Sequence, residues 1–406
     1  MENSPAAITS HGHASRLALI LSRRGGVTPN TSAPTLSYIP GAPARVDWVD
    51  YAKGLCIVLV VMMHVTLRYG AEAGREGWMH HVVLFAQPFR MPDFFLISGL
   101  FLSHSLNKPW REYLDRKVLH FVYFYVLWLA IQLSIVEAAL LVSQPVAFAG
   151  TFLKALIEPI NTLWFVHMLA IFYLVTRLLR SAPVVLVLLA AAALHTMYIA
   201  GMIPAGSVVV SEFSNRYVFF YSGYVAAPLI FEFARRVAAH PRRALVGLGL
   251  WAVVNGLMAA YRLHFWPVLS LVMGFAGAAA IVTVGSVLAQ RHWAWPLRYA
   301  GVNSIVVYLT FFFPKGVLSR LALATVPDWD VAIVSLVITL FAVVTPLIFH
   351  RLVRDTPLAF LYVRPAALRL VPARQPLPPA SSSHTGNRVA LPPVLAEQAA
   401  APPTRP

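Results

Sequence analysis

Apolar residues in this chain come in long blocks, each broken by a short stretch where charged residues, Pro and Gly gather. A helix rises about 1.5 Å per residue, so a block of roughly 20 apolar residues matches the hydrocarbon thickness of a bilayer. About ten such blocks can be marked, near 47–68, 81–102, 117–142, 162–180, 182–203, 215–235, 243–263, 266–289, 300–323 and 330–352. The pattern predicts an all-α integral membrane protein, a bundle of about ten transmembrane helices with disordered tails. Residues 1–45 are polar and lack the short apolar core and small-residue cleavage site of a signal peptide. From about Pro365 the chain turns to Pro, Ala and Ser, as in QPLPPASSSHTG, a composition that buries too little apolar surface to fold. The expected organisation is a disordered tail over 1–45, a transmembrane domain over 46–354 and a Pro/Ala-rich disordered tail over 355–406.

Hydrophobic residues make up 58% of the 406 and charged residues only 12%, too few to solvate the surface of a water-soluble chain of this size. The 32 Lys and Arg outnumber the 16 Asp and Glu, a formal net charge of +16. In a membrane protein such an excess is topological, because cytoplasmic loops collect positive charge. Lys108, Arg111, Arg116 and Lys117 follow the second block, and Arg235, Arg236, Arg242 and Arg243 follow the sixth. The intervening loops hold chiefly Arg68, Arg75, Lys154 and Arg262. This alternation puts both termini in the cytoplasm and makes the lipid bilayer, not nucleic acid, the partner of the basic charge. The single cysteine, Cys56, excludes a disulfide framework and a Cys-based metal site, and no metal is expected. There is no Gly-rich phosphate loop, His-Glu-x-x-His pair or Gly-x-Ser-x-Gly elbow, and no internal repeat of the kind that builds two-halved transporters.

Each polar residue inside a block then calls for a reason, since hydrocarbon gives an unpaired polar group nothing to bond. In VDYAKGLCIVLVVMMHVTLRYG, Lys53 and His64 stand eleven residues apart, three helical turns, and share a face within about 20°. Asp50 falls on nearly the same stripe. With the N-terminus inside, Lys53 lies near the cytoplasmic headgroups and His64 about 16 Å further in. Such a stripe faces protein or water. Taken singly, Lys53 fits a snorkelling anchor and His64 a hydrogen bond to another helix.

The second block, FAQPFRMPDFFLISGLFL, carries Arg90 and Asp93, three apart and able to pair on one helical face. They fit a structural ion pair, or groups that orient an imidazole or bind an anion. Running inward, the block sets Arg90 at a depth comparable with that of His64, and Pro88, Pro92 and Gly99 loosen it. NTLWFVHMLAIFYL puts Trp164 at the extracytoplasmic interface, as in an aromatic belt, with His167 one turn deeper. SNRYVFFYSGY puts Asn215, Arg216 and Tyr217 at the same outer level, and GVNSIVVYLTFFF puts Asn303, Ser304 and Tyr308 on one face near the cytoplasmic side. Each alone fits interhelical hydrogen bonding. Together His64, Arg90, Asp93, His167 and Arg216 make the best candidate site, polar and largely extracytoplasmic.

DYAKGLCIVLVVMMH resembles the first-helix signature of membrane acyltransferase family 3, in which a basic residue, usually Arg, precedes a His by ten intervening positions; Lys53 stands in the Arg position. PDFFLISGLFL is similar to that family's FFxxSGF motif at Phe94, Phe95, Ser98 and Gly99, with Leu100 for the usual Phe. LWFVHMLAIFYL resembles its LWFL…L…Y element, and GVNSIVVYLTFFF its NSxxxYLxH element, with Phe311 to Phe313 replacing the usual His. The resemblance covers all ten blocks. It implies a multi-pass enzyme of the bacterial inner membrane that moves an acyl group, acetyl or succinyl, from cytoplasmic acyl-CoA to a hydroxyl of an extracytoplasmic or lipid-linked carbohydrate. Acyl-CoA is then a co-substrate, with no permanently bound cofactor. The resemblance also implies His64 as base or transient acyl acceptor, supported by Asp93 and Arg90, a role that suits the near-neutral pKa of an imidazole. Lys53 and Asp50 would serve the CoA end, and His167, Trp164, Arg216, Asn303 and Tyr308 the acceptor. An imidazole within a span would let a cytoplasmic donor meet an outer acceptor without moving CoA. The other class that fits a basic, partly hydrated cavity is a transporter or flippase of polyprenyl-linked glycans.

Overall fold

The structure is a computed structural model that describes residues 46–204 and 206–371; the expected tail over 1–45 and residues 372–406 lie outside the described residues. The regular elements are all helical, with no strand among the described residues. The first helix, α1 (Asp47–Ala73), opens with Asp47 and Asp50 in its first turn, where carboxylates favour the positive end of the helix dipole. It stops at Gly74, whose φ of 65° suits glycine, and the next N–H, from Arg75, closes on the Gly70 carbonyl at 3.1 Å.

The second expected span, 81–102, is not one helix. It is cut into α2 (Trp78–Ala86) and α3 (Arg90–Gly99). Pro88 explains the cut, because it lacks an N–H and its ring meets the carbonyl four residues back. Pro92 falls in the first turn of α3, where a missing N–H is harmless. The Asp93 N–H donates to the Phe89 carbonyl at 2.9 Å and restarts the ladder.

Two short helices, α4 (Ser103–Leu106) and α5 (Trp110–Tyr113), lead through a π-helical turn, Leu114–Val118, into α6 (Leu119–Val136). Then come α7 (Ala138–Ser143), α8 (Pro145–Ile157), α9 (Trp164–Leu178) and α10 (Val184–Ile199). Next are α11 (Val208–Val225) and α12 (Ala227–Ala239), which meet at 75°. The series continues with α13 (Pro241–Ala260), α14 (Pro267–Leu288), α15 (Trp295–Val302) and α16 (Ser304–Thr310). It ends with α17 (Phe312–Thr325), bent 50° against α16, and α18 (Val331–Val353).

By length and composition five helices can cross a membrane, namely α1, the continuous helix 110–136, α13, α14 and α18, or up to seven if each bent pair is one span. The sequence led to about ten. The difference lies in the cut at Pro88 and in α9 and α10, whose 15 and 16 residues fall short of a full crossing.

The central helix is α1, packed against α14, α15, α18 and α3. Small residues set its closest crossing, as van der Waals packing between membrane helices favours. Gly54 faces the Leu297 carbonyl, and Gly301 of α15 faces the Asp50 carbonyl in return. A second such crossing joins α3 to α11, where Gly99 faces the Phe220 carbonyl and Gly223 the Leu96 carbonyl. These two contacts fix the helices that carry Lys53, His64, Arg90 and Asp93.

The tail expected over 355–406 begins folded, which corrects the domain boundary at 354. Residues 357–361 and 366–368 form 3₁₀ turns, and the strap 357–370 lies along α6. Tyr123 Oη donates to the Phe360 carbonyl at 2.7 Å and Trp128 Nε1 to the Leu361 carbonyl at 3.0 Å. Arg364 Nη2 meets Asp115 Oδ1 at 2.6 Å, and the Leu370 N–H donates to the same oxygen at 2.7 Å. Local composition argues against a core here; contacts to residues some 250 positions earlier supply one instead.

Candidate active site

His64 sits half-buried on α1 with its ring 5.5 Å from that of Phe311, the fully buried residue between α16 and α17. Lys315, one turn into α17, sets its ammonium 5.9 Å from the Phe311 ring and 5.4 Å from that of Phe312, within cation–π range. The charges of Lys315 and Arg90 both act on His64. Three helices, α1, α3 and α17, thus bring a His, an Arg and a Lys together.

Arg90 is 9% exposed, and its Nε and Nη1 have no hydrogen-bond partner. Asp93 is 1% exposed, and neither carboxylate oxygen has one. The Arg90–Asp93 pair expected from their spacing is therefore not formed. Arg90 feels the charge of Arg216 on α11 and acts on His64 of α1, and Asp93 acts on Cys56 of α1. Arg216 itself lies 3.3 Å from Glu212. No hydrogen bond joins Asp93 to His64 either. Buried polar groups in native proteins nearly always find partners, so the unbonded Arg90 nitrogens and Asp93 oxygens set this part of α3 apart.

Beside this cluster a cavity of about 310 Å³ opens between α1, α3, α6, α9 and α16. Lys53, Lys117 and His120 line its end nearer the start of α1; Phe94, Phe121 and Phe165 form apolar walls. Tyr173 caps the middle, its hydroxyl donating to the Ser98 carbonyl at 2.9 Å, with the Lys117 ammonium 5.0 Å over its ring. At the far end Tyr308 donates to the Thr162 carbonyl and accepts the Phe165 N–H at 3.2 Å, tying α16 to the start of α9. His64 is not on the cavity wall. Phe311 links the two, with its ring 6.3 Å from Tyr308 and 5.5 Å from His64.

The remaining sequence-derived residues fall outside the His64 cluster. Trp164 packs inward against Phe95 at 6.2 Å, so it is part of the aromatic core between α3 and α9 and not of a lipid-facing belt. His167 stacks on Tyr125 of α6 at 4.7 Å and keeps Nδ1 without a partner. Asn303 donates from Nδ2 to the Tyr299 carbonyl at 2.9 Å, at the junction of α15 and α16. Asp50 is buried under Gly301, and Lys53 lies on the cavity.

Three residues went unrecognised as site candidates. Lys315 carried a signal, a cation within the expected ninth span. Lys117 reads from the sequence as one more topological cation. His120 reads as an isolated histidine at a span's edge. Only the π-helical turn and the long-range packing bring these last two to Lys53.

The family model of the acyltransferase domain, type 3, matches residues 46–351. The chain belongs to acyltransferase family 3. This family member is 28% identical over 156 residues to the inner membrane protein YcfT of Escherichia coli strain K12, a match covering 32% of its own chain and 43% of that relative. The aligned part is thus less than half the length of that curated relative. No solved structure matches the chain. Lys53, His64, Arg90, Asp93, Lys117, His120 and Lys315 all lie within the family match; the strap 357–370 lies beyond it.

Proposed function

We propose that this acyltransferase moves an acetyl or succinyl group from cytoplasmic acyl-CoA to a hydroxyl of an extracytoplasmic or lipid-linked carbohydrate. The observation that carries this reading is the cavity, cationic at Lys53 and Lys117 and aromatic towards Tyr308, from which one ring, Phe311, leads to His64. Cations suit the phosphates of CoA, and the apolar stretch suits its acyl-pantetheine arm. His64 takes the proton of the sugar hydroxyl; the oxygen attacks the thioester carbonyl, the C–S bond breaks, and the sulfur leaves as CoA thiol with that proton. If the imidazole nitrogen attacks first, the C–S bond breaks at that step, CoA thiol leaves with the ring proton, and the sugar oxygen then displaces the imidazole from the acyl group and returns its proton to the ring. In either order Lys315 is placed to stabilise the developing oxyanion, and Arg90 with Arg216 to hold the acceptor. Membranes containing the protein should release free thiol from acetyl-CoA or succinyl-CoA. No release with any acyl donor would sink the enzyme reading and favour glycan transport.

This reading needs both termini in the cytoplasm of a bacterium, with the broken pair α2–α3 and the shorter α9 and α10 completing about ten crossings of the inner membrane. Reporter fusions near Lys108 and Pro241 should read cytoplasmic, and those near Glu72 and Gly206 outside. Opposite readings at either pair would overturn the orientation.

Lys53→Ala should raise KM for acyl-CoA, by roughly tenfold if a charge-assisted phosphate contact is lost. Lys53→Arg should keep KM near that of the parent. Equal KM in the Ala variant and the parent would reduce Lys53 to a membrane anchor.

A further inference from the structure

The strap 357–370 lies beyond residue 351, where the family match ends, and yet it is tied to Asp115, two residues from the cavity-lining Lys117. Arg364 is 7% exposed and holds Asp115, itself 3% exposed, at 2.6 Å. Asp115 belongs to the same π-helical turn as Lys117. Such turns are rare and recur at functional sites, because the extra residue re-aims the side chains around it. Here the turn sends Asp115 to the strap and Lys117 to the cavity.

The strap adds charge that Asp115 does not use up. Arg364 Nη1 is buried and has no hydrogen-bond partner. The charges acting on His120 are those of Arg364, Lys117, Arg369 and Asp115, and those acting on Lys117 are Lys53 and Lys108. Arg369 is exposed and, among the described residues, held by a 3.4 Å contact from Nη2 to the Arg364 carbonyl, so its guanidinium can turn to a ligand. The acids nearby are already engaged: Asp115 by Arg364 and the Leu370 N–H, and Glu112 by Lys108 and Arg116. Gathering like charges around a buried guanidinium with one nitrogen unbonded is unfavourable unless a polyanion binds there.

We propose that the strap is the phosphate-reading part of the donor site, in which Arg364 and Arg369 join Lys117 to bind the phosphate groups of acyl-CoA beside the cavity. This rests on the acyl-CoA reading of the cavity. Lys53 then meets the phosphate nearest the acyl-pantetheine arm, and that arm runs past Tyr173 towards Tyr308.

The test compares binding of CoA with binding of pantetheine, which has the same thiol arm and no phosphate, to the purified full chain in detergent. The parent should prefer CoA strongly. Arg369→Gln, at an exposed position that leaves the Arg364–Asp115 pair in place, should cut that preference about tenfold, the loss of one charge-assisted contact. Arg369→Lys should restore part of it. If the parent binds CoA and Arg369→Gln keeps the full preference, the strap proposal is overturned while the acyl-CoA reading stands. If the parent binds no CoA, the acyl-CoA reading itself falls and takes the strap proposal with it. If Arg369→Gln instead weakens only binding to phosphatidylglycerol vesicles, the strap cations read lipid phosphate, which also overturns the proposal.

Discussion

His64→Ala is expected to lower acyl transfer by about 10²–10⁴-fold while the protein still inserts, folds and binds acyl-CoA. The imidazole is half-buried, and the ring neighbour seen for it is Phe311 at 5.5 Å, so its removal takes little packing from a bundle held elsewhere by glycine crossings. The loss should fall on kcat, with the donor KM little changed, since Phe311 separates the imidazole from the cavity wall. Asp93→Asn should cost less, because no hydrogen bond ties that carboxylate to the ring. If the two act as one unit, the double variant is no slower than His64→Ala alone. Full turnover by a stably expressed His64→Ala protein would remove the mechanism and return this histidine to a purely structural role.

Gly301→Ala is the second large expected effect, and it acts through packing. A Cβ there would collide with the carbonyl oxygen of Asp50 and come within 2.7 Å of the Gly54 nitrogen. Both are backbone atoms of α1, so no side chain can turn aside to make room. Overpacking a well-packed core typically costs about 1–3 kcal/mol, and meeting backbone places this change at the upper end or beyond. Because Gly301 also lines the cavity beside Lys53, any folded fraction should bind the donor more weakly. Yield of monodisperse protein and its thermal midpoint should both drop. Gly316→Ala, where a Cβ would meet nothing within 4 Å, serves as the unaffected control. A Gly301→Ala protein with the parent's midpoint would show that α1 and α15 do not approach as closely as described.

Much of the central helix was legible in the sequence, because a single regular helix converts spacing into geometry directly: Lys53 to the cavity and His64 to the polar cluster follow from one stripe on α1. What spacing could not supply was the direction of side chains next to a break. Arg90 and Asp93 are three apart on a helix that starts at Arg90, and no hydrogen bond joins them. Pro88 and Pro92 were visible as loosening elements, but that one would cut the span and the other sit harmlessly in a first turn depends on where the helix restarts. Trp164 looked like a belt residue from its place at a span's end, yet its partner Phe95 lies in another helix. The strap was hidden for a related reason: it adjoins a stretch rich in Pro, Ala and Ser, while its burial comes from Asp115, Tyr123 and Trp128 far away in sequence.

The joining of a donor on one face to an acceptor on the other through His64 is tested most directly in sealed inside-out membrane vesicles. Acyl-labelled CoA is supplied outside, at the original cytoplasmic face, with the carbohydrate acceptor enclosed. The expected result is label on the enclosed carbohydrate as a base-labile ester, an equal amount of CoA thiol left outside, and neither product from vesicles carrying His64→Ala. Label that reaches the carbohydrate only when CoA is also admitted to the interior would contradict transfer across the bundle.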